Sequence, residues 1–201
     1  MKIKKILAIL LLVLLVFALG ACNNDSNSNT ISSAELTARE NAILSTTSDK
    51  SFVFDFNIDS EYKEISVWIE KYELGKLVDD KLSHVTTEVE QGGSIIFATS
   101  KNDNEKKNTI NIGIDSNGGT ASISGFDTNS NGIEKMSSVW GNFQGKKTLN
   151  EGEVVLANIS YSNDENGMSS LTADYYDDVE SHMNELKEYD VAYLLKAEFF
   201  K

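Results

Sequence analysis

The 201-residue chain contains no proline, one cysteine and two histidines. Without proline, no strand edge can be blocked by a missing N–H. Exposed sheet edges must then be guarded by charge or by a covering segment. The single cysteine, Cys22, can form no internal disulfide, and the chain beyond it has no thiol nucleophile and no cysteine-ligated zinc site. His84 and His182 lie far apart, and no His-Glu-x-x-His, Gly-x-Ser-x-Gly or Gly-x-Gly-x-x-Gly motif occurs. Basic residues are scarce too: 18 Lys and Arg stand against 31 Asp and Glu, a formal net charge of −13. That balance excludes nucleic-acid binding through a general basic surface, because phosphate neutralisation needs clustered Lys and Arg. It also excludes a basic amphipathic helix lying on an anionic membrane.

The one long apolar run is at the start. Lys2, Lys4 and Lys5 precede an uncharged stretch from Ile6 to Leu19, followed by Gly20, Ala21 and Cys22. This is the tripartite pattern of an export signal, and its apolar core is shorter than the roughly 20 residues of a spanning helix. Leu19-Gly20-Ala21-Cys22 resembles the lipobox of bacterial lipoproteins. The resemblance implies a diacylglycerol carrying palmitate-type chains on the Cys22 sulfur and cleavage after Ala21. The membrane is then a partner through the lipid anchor, and the protein stands on the outer face of the cell membrane. Cleavage removes three lysines and leaves a body of net charge −16, which anionic lipids repel, so the acyl chains have to hold it. Asn, Lys and Ile usage, with Arg39 as the sole arginine, fits the AT-rich coding of a Gram-positive, low-GC bacterium.

Residues 23–33 (NNDSNSNTISS) are polar and of low complexity, and they read as a flexible tether. The expected organisation is a signal peptide over 1–21, a lipidated Cys22 with tether to residue 33, and one domain over 34–201. Ser32 and Glu35 have capping-box spacing, and Leu36, Ile43 and Leu44 recur on one helical face, predicting a short helix over 34–48.

From residue 51 the period changes to two. Alternation over Phe52–Ile58, Ile65–Glu73, Ser94–Thr99, Ile110–Ile114, Ala121–Ile123 and Val155–Tyr161 predicts strands, with Lys76–Val78 a short one after the Leu74-Gly75 turn. Ser116-Asn117-Gly118-Gly119 is a hairpin signal. Asn166-Gly167 predicts a turn into a strand over Leu171–Tyr175. Val179, Met183 and Leu186, with Asp177 as cap, predict a helix over 178–188. The last stretch, Val191–Phe199, is apolar on both faces and belongs centrally in a sheet. The expected fold is mainly β: an antiparallel sandwich or barrel with one short helix near each end of the domain.

Candidate chemistry is thin. No residue stands out as catalytic, and no cofactor is implied. Asp127-Thr-Asn129-Ser-Asn131-Gly132 matches the first half of a calcium loop, where alternate side chains converge on one cation, but Ser138 stands where the closing bidentate acid belongs. Trp68 and Tyr72 share a strand face with Ser66 and Glu70, a candidate aromatic strip for a partner, unless both faces of that strand are covered. Asp79-Asp80 point to opposite faces and make a poor acid/base pair. The stretch Trp68–Leu77 and the run from Tyr193 to Lys196 resemble uncharacterised lipoprotein domains of the Bacillus group. The expected role is a binding or interaction module at the cell envelope, engaging an envelope protein or ligand. The alternatives are a hydrolase with paired carboxylates and a small-ligand carrier with a barrel cavity.

Overall fold

The computed structural model describes residues 29–100, 109–127, 132–164 and 167–201. Its strands in chain order are β1 (Thr30–Ser33), β2 (Ser48–Asn57), β3 (Glu64–Glu73), β4 (Lys76–Asp79), β5 (His84–Glu88), β6 (Gly92–Ser100), β7 (Thr109–Ser116), β8 (Gly119–Phe126), β9 (Ser137–Asn142), β10 (Lys146–Thr148), β11 (Glu153–Ser162) and β12 (Val191–Phe200). They form two antiparallel sheets, one in the order β10-β1-β2-β6-β7-β8 and one in the order β4-β3-β12-β11-β9. β4 and β5 both pair with β3, along different halves of its length. Both sheets keep open edges, so the fold is a β-sandwich and not a closed barrel.

The core lies between the sheets. Ile31, Phe54, Phe56, Ile95, Phe97 and Ile112 of the first sheet face Ile65, Val67, Ile69, Leu195 and Phe199 of the second, all buried. Phe54 stacks on Phe143, and Phe56 meets Phe199 edge-on. β12 is central, between β3 and β11, as its two apolar faces require. The hairpin is present: Asn117 and Gly118 both have positive φ, the two-residue turn that matches strand twist.

The boundary expected at residue 34 moves to 30. Thr30–Ser33 form an inner strand between β2 and β10, and Ile31 is fully buried. One apolar residue in four was too weak a period to read.

The first helix, α1 (Ala38–Thr47), is capped by a reciprocal Thr37–Glu40 box, not by Ser32 and Glu35. It buries no residue, so the stripe of Leu36, Ile43 and Leu44 is not a core face. The strand expected over 171–175 and the single helix over 178–188 are also replaced. Instead there are α2 (Ala173–Asp177), α3 (Val179–His182) and a 3-10 helix over Met183–Glu188. Thr172 and Asp178 cap the two α-helices, while Asp177 pairs with Lys147. This segment lies over the outer face of the second sheet, where the Tyr176 hydroxyl donates to Asn158 Oδ1 at 2.6 Å and Tyr175 and Leu186 are fully buried. It forms a third layer, and it explains why β3, β11 and β12 are buried on both faces.

Candidate functional site

Three polar features stand out: an ionic seam between the sheets, a carboxylate pair on the outer face of the second sheet, and an open cleft at one end of the sandwich.

The seam joins the ends of the two sheets. Lys71 Nζ lies 2.7 Å from Asp127 Oδ2 and 2.9 Å from Glu73 Oε1. The Tyr193 hydroxyl donates to the same Asp127 oxygen at 2.7 Å. Lys71, Asp127 and Tyr193 are all buried. Burial pulls the Lys71 pKa down, but the Asp127 and Glu73 carboxylates outweigh it, and the net direction is up. Burial, then the Asp127 carboxylate, pushes the Tyr193 phenol well above its usual value. Asp127 is therefore engaged as a structural ion pair and is not free to head a calcium loop. Asn129 and Asn131 lie outside the described residues, and among those described no group of three His, Cys, Asp or Glu could hold a metal.

The outer face corrects the aromatic strip. Trp68 and Tyr72 do share a face with Glu70, but both are buried and cannot serve as an exposed strip. The Tyr72 hydroxyl donates to Glu70 Oε2 at 2.6 Å, and Trp68 meets His84 edge-on. Burial, then Lys81, lowers the His84 pKa. Lys196 Nζ bridges Glu70 at 2.9 Å and Glu153 at 2.7 Å. These are the carboxylates from distant strands that a hydrolase would need. One shared ammonium holds both in ion pairs, and the adjoining hollow is only about 170 Å³.

The cleft has about 930 Å³, within the range of ligand sites. It opens where the edges of the two sheets part. At one point β8 and the segment before β5 touch closely: a Cβ on Gly125 would overlap Ser83 Oγ, so only glycine fits. That Ser83 hydroxyl is buried with no hydrogen-bond partner among the described residues. Toward the β7–β8 turn the two edges separate. Tyr62, Val89 and Ile114 form the floor, and Glu64, Glu88 and Glu90 stand on the rim with Lys63.

Backbone bonds fix the walls. Val89 N–H donates to Lys63 O at 2.9 Å, Ile58 N–H to Gln91 O at 2.6 Å and Glu90 N–H to Ser116 Oγ at 3.1 Å. Asp59, also on the rim, receives Asn29 Nδ2 at 2.6 Å and returns its own N–H to Asn29 Oδ1 at 2.8 Å. The Asn29 amide, then the Glu61 N–H, holds the Asp59 carboxyl below its usual range. The chain thus enters the fold beside the cleft.

None of the rim carboxylates had a motif to mark it. Glu64, Glu88 and Glu90 come from separate strands and loops, and only the register of β3 with β5 brings the first two together. The lipobox residues Leu19, Gly20, Ala21 and Cys22 lie outside the described residues.

Comparison with known families adds one finding: the YgaN domain matches residues 30–199. The chain belongs to the YgaN domain family. The matched span starts at the first residue of β1, so the YgaN domain includes the strand that polar, low-complexity composition assigned to the tether. No curated protein and no solved structure matches the chain.

Proposed function

We propose that this YgaN domain is a binding module held by a lipid on Cys22 at the outer face of the cell membrane, and that its cleft takes a cationic ligand. The observation that carries the cleft reading is its electrostatics. Glu64, Glu88 and Glu90 make no ion pair with any described residue, and Lys63 is the only basic side chain among the described residues of the rim. The walls are held by backbone bonds, so a ligand meets a preformed site.

The anchor reading rests on the signal pattern of residues 1–21 and on Cys22. It sets a geometry. Because Asn29 is bonded at both backbone and side chain, seven virtual bonds separate it from Cys22, a reach of no more than roughly 25 Å. The cleft, rimmed by the residue that holds Asn29, then opens close to the membrane surface.

Two measurements test the two parts. Cells fed a clickable fatty acid should label the wild type and not Cys22→Ala, which should accumulate as precursor. Normal processing of Cys22→Ala would remove the anchor. Tetralysine added to the full mature protein in detergent should shift the amide resonances of residues 87–91 and 63–64. Shifts spread evenly over the surface would remove the cleft.

A further inference from the structure

We propose that the cleft takes an extended basic polypeptide segment, which adds to the free edge of β8 as a further antiparallel or parallel strand. This rests on the cleft reading above and names its ligand class. The cleft is walled on one side by Gly119, Thr120 and Ala121 of β8. That strand pairs only with β7 among the described residues. Ser116 and Gly119 close a two-residue turn and form a hydrogen-bonded pair, so the pairing alternates along the hairpin. Thr120, Ser122 and Ser124 therefore aim their N–H and C=O groups away from β7. No described backbone group receives them.

Ser83 covers this edge at Gly125, but toward the β7–β8 turn it has neither of two common guards. β8 reads GTASISGF, with no charged residue and no proline, whereas exposed edges are usually protected by one or the other. Its solvent side chains are turned back to its own sheet: the Thr120 hydroxyl donates to Asp115 Oδ1 at 2.9 Å and the Ser124 hydroxyl to Asn111 Oδ1 at 2.6 Å. Across the gap stand the Glu64 and Glu88 carboxylates. A small polyamine would satisfy those charges but leave the strand edge unpaired. A neutral strand would pair the edge but leave the charges. A second copy of this chain would bring the same acidic rim against its own, at a body charge of −16. A basic extended segment satisfies both features, with alternate apolar side chains against the floor.

The test uses the full mature protein in detergent and three probes: a Lys-Val alternating octapeptide, the same peptide N-methylated at alternate residues, and tetralysine. Amide hydrogen exchange at Thr120 and Ser122 is the readout. The octapeptide should slow exchange there by about tenfold or more, and the N-methylated peptide by less than about twofold, because one of its edges has lost its donors. Ser122→Pro removes an outward N–H and leaves the β7 ladder intact. It should abolish octapeptide binding while still giving the tetralysine shifts. Ser122→Lys is the second variant if the proline form folds poorly, and should weaken the octapeptide at least about tenfold by charge repulsion. If tetralysine and the octapeptide both bind at the rim without edge protection, strand addition is overturned and the cation-binding cleft stands. If neither binds, both readings fall.

Discussion

Glu64 and Glu88 stand directly opposite each other on β3 and β5, and no described cation pairs with either. Like charges in direct register destabilise a strand pair. The arrangement is a local cost, set where β5 borders the cleft, and it fits a surface that waits for a positively charged partner.

Glu88→Lys should therefore raise stability, by about 0.5 kcal/mol or less because both groups are exposed. Urea unfolding of wild type and variant measures this. The same substitution should weaken tetralysine binding. A variant that is less stable than wild type would show that the carboxylate has a structural partner.

Removing one member of the buried seam should cost far more. Asp127→Ala leaves the Lys71 ammonium buried against Glu73 alone and the Tyr193 hydroxyl without its acceptor, an expected loss of about 3–5 kcal/mol. Lys71→Met combined with Asp127→Asn should recover most of it. The amide oxygen introduced at position 127 would keep an acceptor for Tyr193, and no charge would be stranded. A double variant as unstable as the single one would contradict this account.

Calcium should give no specific stabilisation, because binding at Asp127 would have to break a buried ion pair. About 1 mM calcium and the same concentration of magnesium should shift the melting temperature equally and slightly, as screening of a strongly acidic body. A saturable, calcium-only shift, approaching about 2.7 kcal/mol at a hundred times the dissociation constant, would overturn this. Loss of that shift in Asp127→Ala would then assign the calcium to this loop.

Alkaline unfolding should follow the tyrosines. Burial, with nearby carboxylates, raises the phenols of Tyr72, Tyr175, Tyr176, Tyr189 and Tyr193, that of Tyr189 to about 12. A group raised in the folded state favours folding fully below its unfolded pKa, near 10, and that contribution drains away as pH rises toward the folded value. Stability should hold to about pH 10 and then fall, with tyrosinate absorbance of these five appearing together with loss of β-structure. Their ionisation near pH 10 in a still-folded protein would refute the burial argument.

How much of this was legible in the chain varies by element. The period-two runs at Phe52–Ile58, Ile65–Glu73 and Val155–Tyr161 are strands because one face of each meets the core. The Asn117-Gly118 turn is where positive φ was needed. The segment at Leu171–Tyr175 misled, because tertiary packing of Tyr175 and Tyr176 on the outer sheet face wins over a short alternation. β1 was invisible because three of its four residues are polar and take their order from neighbours on both sides.

The acidic charge balance and the mainly β fold could be read from the chain alone, since each depends on composition or on periodicity within a single segment. The tertiary structure alone decided what was buried and what faced a partner. It turned Asp127 from a loop ligand into a seam residue, buried Trp68 and Tyr72, and set Glu64 against Glu88. Each of these depends on register between strands far apart in the chain, and register is fixed by packing across the sandwich, which no local pattern records.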